Sequence, residues 1–318
     1  MKKVLALILA LTMLLTLTAC GGKEEETITF VLDWTPNTNH TGIYVALQKG
    51  WFEEAGLKVD VVQPPEGGSA LLVASGKAQF AVTAQDSIAM PLTTVAAILQ
   101  HNTSGIVSRA GEGMDTPKGL EGHKYATWDS PVEKATIRQV MAADGGDFDK
   151  VELIPSTVTD EVSALKSGDV DAIWIFYGWA GIACEVAGLP IDYFDFADFD
   201  PVLDFYTPII VSNNDWLASN PETAKAFLAA LSRGYEYAAE NPKEAADILM
   251  EAAPELKSNA ELVYRSQEYL AGEYIADAAR WGEIDPDRWG GYFTWLNDNG
   301  LMETPLDPGM GFTNEYLP

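Results

Sequence analysis

The chain has 318 residues, 47% of them apolar and 10% aromatic, enough for two domains with real cores. Asp and Glu number 47 against 20 Lys and Arg, a formal charge of −27 that argues against nucleic acid and anionic lipid surfaces as partners. Two cysteines and three scattered histidines (His40, His101 and His123) offer no metal-ligand spacing.

In chain order, the first element is an address. Met1-Lys2-Lys3, an apolar run from Val4 to Leu17 and small residues up to Cys20 describe a secretory signal over 1–20. The run is too short for a bilayer span of about 20 residues. A Cys at the cut resembles the lipobox of bacterial lipoproteins, which predicts lipidation at Cys20 and an extracytoplasmic chain anchored to the cell membrane. Residues 21–26 are polar and read as a linker. Cys184 is then left without an intrachain partner and reads as a small buried helical residue.

The body alternates short apolar strands with helical patterns, the mark of an α/β architecture. Ile28–Leu32 reads as a strand and His40–Gly50 as a helix, followed by a strand at Leu57–Val62 and a helix at Gly68–Ser75. Gln79–Thr83 is a strand, Ser87–Pro91 a helical turn, and Val95–Leu99 and Thr103–Ser108 two more strands. Near Gly111-Glu112-Gly113 the chain turns polar and enters a second unit. Its elements are strands at Lys124–Thr127, Val151–Ile154 and Ala172–Phe176, with helices at Val132–Ala143, Thr159–Lys166 and Trp179–Ala187. Tyr206–Ser212 reads as a strand returning to the first unit. Beyond Asn214 the pattern is helical, with Asn220-Pro221 and Asn241-Pro242 each placing a cap-type residue before a first-turn proline. Further helices cover Asn259–Gly272 and Pro286–Asn299. Ser75-Gly76 and Ser167-Gly168 end helices and start strands in the same way, an echo of two lobes built alike.

Enzyme signatures are thin: the chain has no nucleophile elbow, P-loop, dinucleotide fingerprint or H-E-x-x-H. Three aromatic-polar clusters instead follow strand ends, where ligand crevices of open α/β sheets lie. In Asp33-Trp34-Thr35-Pro36, an exposed Trp beside a carboxylate suits a flat ring with an amino group. A Trp packed under the loop, with Asp as a helix cap, fits the same spacing. In Trp128-Asp129-Ser130-Pro131, Ser130 reads as an N-cap before a first-turn proline, and the helix start offers free N–H groups. In Trp174-Ile175-Phe176-Tyr177-Gly178-Trp179, alternation sends Trp174 and Phe176 to the core and leaves Tyr177 and Trp179 at the mouth. Glu66-Gly67-Gly68-Ser69 fits either an anion-binding nest or a plain loop-to-helix junction. Together the clusters predict a cleft between lobes.

Leu32-Asp33-Trp34-Thr35-Pro36-Asn37-Thr38-Asn39-His40-Thr41-Gly42, continuing to Lys49-Gly50-Trp51-Phe52, resembles the opening of the thiamine-pyrimidine-precursor binding proteins of ABC importers. These are related to nitrate, sulfonate and taurine binding proteins. The likeness continues through Glu66–Ser69, Gln85-Asp86-Ser87, Trp128–Glu133 and Thr207–Ile210. It implies a type II periplasmic-binding-protein fold, two lobes joined by two crossing segments, with lobe one at 27–110 and 208–318 and lobe two at 111–207. It also implies a monomeric receptor for a formylaminopyrimidine- or hydroxymethylpyrimidine-type ligand, serving a permease and its ATPase, without cofactor or metal. By matching position, Asp33 would accept from the pyrimidine amino group, and Trp34 and Tyr177 would flank the ring. His40, Ser69, Gln85, Trp128 and Ser130 would add contacts.

Ala180 stands where many relatives carry Glu, which keeps open another planar heterocycle such as riboflavin, or a sulfonate. A fungal pyrimidine synthase of the family uses a histidine and a cofactor-binding lysine. The matching positions here are Ser87 and Thr83, so binding rather than catalysis is expected.

Overall fold

The computed structural model describes residues 27–87, 91–302 and 304–318. The expected signal, linker and Cys20 lie outside the described residues, as does most of the turn expected at Ser87–Pro91.

Ten strands form two five-stranded sheets. In chain order they are β1 Thr27–Val31, β2 Lys58–Val62, β3 Phe80–Thr83, β4 Leu92–Ala97, β5 Ser104–Arg109, β6 Lys124–Thr127, β7 Glu152–Pro155, β8 Ala172–Phe176, β9 Ile191–Asp195 and β10 Ile209–Asn213. The first sheet has the order β2-β1-β3-β10-β4 and the second β7-β6-β8-β5-β9. Each contains parallel strands plus one strand running against its two neighbours: β10 between β3 and β4, and β5 between β8 and β9.

The chain therefore crosses between sheets twice, over 98–103 and over 196–208. The first crossing comes earlier than the expected boundary at 110, because β5 pairs with β8 and β9 in the second sheet. The crossing segments run side by side. Ile98 N–H donates to the Pro208 carbonyl (3.0 Å), Asn102 N–H to Asp204 Oδ1 (2.9 Å) and Asn102 Nδ2 to the Leu203 carbonyl (2.8 Å). Strand β9 was not anticipated. Its sequence Ile191-Asp192-Tyr193-Phe194-Asp195 is half polar because it forms the sheet edge.

The helices are α1 Thr41–Gln48, α2 Trp51–Glu54, α3 Ser69–Ala74, α4 Pro131–Ala143, α5 Glu161–Ser167, α6 Ile182–Val186, α7 Asn214–Ser219, α8 Pro221–Glu240, α9 Pro242–Ala252, α10 Ala260–Glu273 and α11 Pro286–Asp298. Four of them start at proline, where no N–H is needed and φ is already helical. The two echoed turns both use a left-handed glycine, Gly76 (φ 71°) and Gly168 (φ 74°).

One face of the first sheet packs on α8. Phe227 stacks on Phe80 (centroids 4.2 Å apart) and on Phe52 (5.1 Å). α1 crosses α8 so closely that a Cβ on Gly42 would sit 2.3 Å from the Tyr235 ring. The other face of that sheet joins Trp289, Phe293 and Leu296 of α11 in a core that runs on into the second lobe through Phe194, Phe196 and Tyr206. A smaller core of Val107, Leu165, Ile173 and Ile175 fills the opposite face of the second sheet.

Candidate functional site

The turn after β1 is held from several sides. Asn37 caps the short turn Thr38–His40: its Oδ1 accepts from Asn39 N–H (2.9 Å), and its own N–H donates to His40 Nδ1 (3.2 Å). Since Nδ1 accepts, the ring proton sits on Nε2, which donates to Asp33 Oδ1 (2.8 Å). His40 is fully buried, so the carboxylate is fixed from behind. The second Asp33 oxygen has no hydrogen-bond partner among the described residues. From α8, Tyr235 donates to the Asn39 carbonyl (2.7 Å), and below α10 Tyr274 donates to the Thr38 carbonyl (2.6 Å). Thr38 and Ser266 hydroxyls meet at 2.6 Å. Against this rigid base Trp34 is 60% exposed, so the cap-and-packed-Trp alternative does not describe it.

The loop after β6 is organised by one buried carboxylate. Glu133 accepts from Tyr125 Oη (2.7 Å), Thr127 Oγ1 (2.9 Å), Ser130 N–H (3.2 Å) and Trp128 N–H (3.3 Å). Ser130 caps α4 in return. Asp129 takes a left-handed conformation (φ 67°), which lets the chain reverse and leaves Trp128 half exposed, edge-on to Trp174 (5.3 Å).

These loops bound two connected compartments. One, of about 300 Å³, is lined by Asp33, Trp34, Asn37 and Asn39; the other, of about 380 Å³, by Trp128, Ser130, Trp174, Asp86, Glu161, Ala180 and Tyr292. Phe176, Trp179 and Thr207 line both, so the two form one cleft between the lobes. Each volume falls in the range of ligand sites, about 300–1,000 Å³. Burial pushes the Asp86 carboxyl up, with Ser87 partly opposing it, and burial likewise pushes up Glu161. Among the described residues no Lys, Arg or His lines either compartment.

Of the residues expected from sequence, Asp33, Trp34, Trp128, Ser130 and Trp179 line the cleft, and His40 stands directly behind Asp33. Three others are engaged in the framework. Ser69 is buried and its hydroxyl donates to the Val82 carbonyl (2.5 Å). Gln85 is buried, donating to the Trp289 carbonyl (3.1 Å) and accepting from Tyr206 N–H (2.9 Å). Tyr177 turns away: its hydroxyl donates to Glu185, which also pairs with Arg265, and its ring packs on Tyr193 and Tyr269. Burial, then Glu185, lift the Tyr177 hydroxyl to about 12.

The cleft-facing rings are instead Trp174 and Phe176, which had been expected in the core. On β8 the side chains of Ile173 and Ile175 enter the smaller core, so parity sends 174 and 176 to the cleft. The chain then leaves the strand in a π turn, Tyr177–Gly181, and the alternation ends. Asp86, Glu161 and Tyr292 line the cleft beyond the expected set. Asp86 belongs to the Gln85-Asp86-Ser87 block, whereas Glu161 and Tyr292 reach the cleft from distant elements.

Among the described residues no cluster of His, Cys, Asp or Glu could hold a metal, and no helix is long and apolar enough to cross a membrane. Cys184 is buried, and burial lifts its thiol to about 11, far from a reactive thiolate.

A family model described as NMT1/THI5 like matches residues 37–245. A formylaminopyrimidine-binding protein of Halalkalibacterium halodurans is 29% identical, with 96% of each chain aligned. A 4-amino-5-hydroxymethyl-2-methylpyrimidine phosphate synthase of Saccharomyces cerevisiae is 24% identical over 92% of this chain and 88% of its own. Among solved structures, the periplasmic aliphatic sulphonate binding protein of Escherichia coli superposes with a TM-score of 0.69 at 14% identity, covering 90% and 91% of the two chains. A Candida albicans protein described as having the generic periplasmic binding protein fold gives 0.60 at 14% identity, covering 91% and 96%. With two sheets, two crossings and a cleft between them, the chain has the periplasmic-binding-protein fold and belongs to the NMT1/THI5-like family.

Proposed function

We propose that this chain is the extracytoplasmic receptor of an ABC importer and captures a thiamine pyrimidine precursor of the formylaminopyrimidine or hydroxymethylpyrimidine type. The observation that carries the reading is Asp33: a carboxylate fixed by a buried histidine, with one free oxygen, in a compartment walled by Trp34, Phe176 and Trp179. That oxygen would accept from the ring amino group at about 1.5–3 kcal/mol. The aromatic walls would add about 0.5–1.5 kcal/mol per stacked pair beyond area burial. The relative named for formylaminopyrimidine binding supports the same ligand class.

Closure of the lobes about the paired crossing segments would complete the enclosure. Capture rather than conversion is the reading that the relative named for formylaminopyrimidine binding supports. A Cys20 lipid would hold the receptor at the membrane beside its permease, and Cys20→Ala should move the protein from the membrane fraction to the soluble one.

Titration calorimetry against formylaminopyrimidine, hydroxymethylpyrimidine, riboflavin and taurine tests the reading. One-to-one binding of a pyrimidine, without heat from taurine, is expected. Taurine or riboflavin binding with silent pyrimidines would overturn the ligand class.

A further inference from the structure

The second compartment is larger than a single pyrimidine needs and has a chemistry of its own. A cavity of about 150 Å³ is enough to hold one benzene ring, whereas this one measures about 380 Å³ beside its 300 Å³ neighbour. Trp128, half exposed, and Trp174, partly buried, line it with their rings edge-on to one another. Asp86 and Glu161 supply carboxylates, and no Lys, Arg or His lines it among the described residues.

Tyr292 backs this compartment with a buried ring stacked on Phe205. Burial also raises Glu161 and Asp86 from the ordinary carboxylate range, a penalty that a cation bound beside them would reduce.

Indole faces plus carboxylates, with no competing cation, are the components that recognise a positively charged ring. We propose that the ligand has two rings, an aminopyrimidine held at Asp33 and a cationic heteroaromatic ring held in the compartment of Trp128, Trp174, Asp86 and Glu161. This rests on the aminopyrimidine contact at Asp33 and replaces the one-ring precursor named above with a two-ring ligand, since a lone pyrimidine leaves the second compartment to water. The same lining disfavours a sulfonate, whose charge would face Asp86 and Glu161.

The test uses the mature chain and two probes, neutral hydroxymethylpyrimidine and thiamine, an aminopyrimidine joined to a thiazolium cation. Calorimetry at 20 and 300 mM salt should show thiamine binding at least tenfold tighter, with the advantage shrinking at the higher salt. Glu161 opens α5 and makes no ion pair among the described residues, so Glu161→Gln should fold normally. It should remove most of the thiamine advantage over hydroxymethylpyrimidine. Thiamine no tighter than hydroxymethylpyrimidine overturns the two-ring proposal while the pyrimidine reading stands. An advantage unchanged in Glu161→Gln and in Asp86→Asn overturns the role of charge and the proposal with it. Silence from both probes brings down the pyrimidine reading itself.

Discussion

Trp34→Ala separates binding from folding most cleanly. The indole is 60% exposed, so on a Trp surface of about 250 Å² some ~150 Å² is open to solvent. One ring face is about half of that, and covering ~75 Å² at about 25 cal/mol per Å² is worth roughly 2 kcal/mol. Stacking adds about 0.5–1.5 kcal/mol. Truncation should therefore weaken the pyrimidine by about 2.5–3.5 kcal/mol, on the order of 100-fold in Kd. Because the side chain packs little in the unliganded protein, unfolding free energy should move by no more than about 0.5 kcal/mol. Calorimetry gives the first number and thermal unfolding without ligand the second. An unchanged Kd removes Trp34 from the site. A fall in Tm above about 5 °C, which at this chain length corresponds to more than 1 kcal/mol, shows that the indole supports the fold.

Other outcomes follow from neighbouring contacts. Glu133→Ala deprives the Tyr125 and Thr127 hydroxyls and two backbone N–H groups of their acceptor. It should cost about 2–6 kcal/mol in urea unfolding, at about 1–3 kcal/mol for each of the two fully buried hydroxyl donors, and a cost under 1 kcal/mol would show that the network is dispensable. Tyr177→Phe should leave ligand affinity within twofold, because the lost hydroxyl bonds Glu185 outside the cleft; a tenfold loss by calorimetry would return Tyr177 to the site. Burial raises Asp195 to about 6, so the folded state holds this proton where the unfolded chain has released it. Its contribution to stability is present below the unfolded value near 3.9 and is lost as pH rises through about 6. Asp195→Asn should thus be more stable than the native chain by about 1–2 kcal/mol at pH 7, after allowance for solvent screening. Denaturation curves should converge near pH 4, and a gap that widens on acidification would reverse the sign of the argument.

Much of the scaffold was legible because its signals are local. Apolar runs gave most of the strands, proline after Ser or Asn marked helix starts, and Ser-Gly marked where helices end in a left-handed residue. The cleft was legible through Asp33, Trp34, Trp128 and Trp179, polar-aromatic residues at strand ends. Tyr177 was not, because its direction depends on where β8 gives way to a π turn, and one residue of register exchanges Phe176 with Tyr177. Ser69 and Gln85 were misplaced for another reason. Their polar atoms satisfy backbone groups of Val82, Trp289 and Tyr206, and the last two lie more than a hundred residues away. Edge strand β9 and the crossing at 98–103 escaped for the same reason: pairing partners, not composition, define them.

The position of β10 has a consequence for how the molecule comes into being. Its residues, 209–213, sit between β3 and β4, so the earlier sheet stays in two pieces until the ribosome has made the entire other half. The chain must be available as far as residue 213 of its 318 before the N-terminal sheet can close, which favours slow, late maturation over stepwise folding. A polypeptide that cannot finish folding early stays threadable for longer.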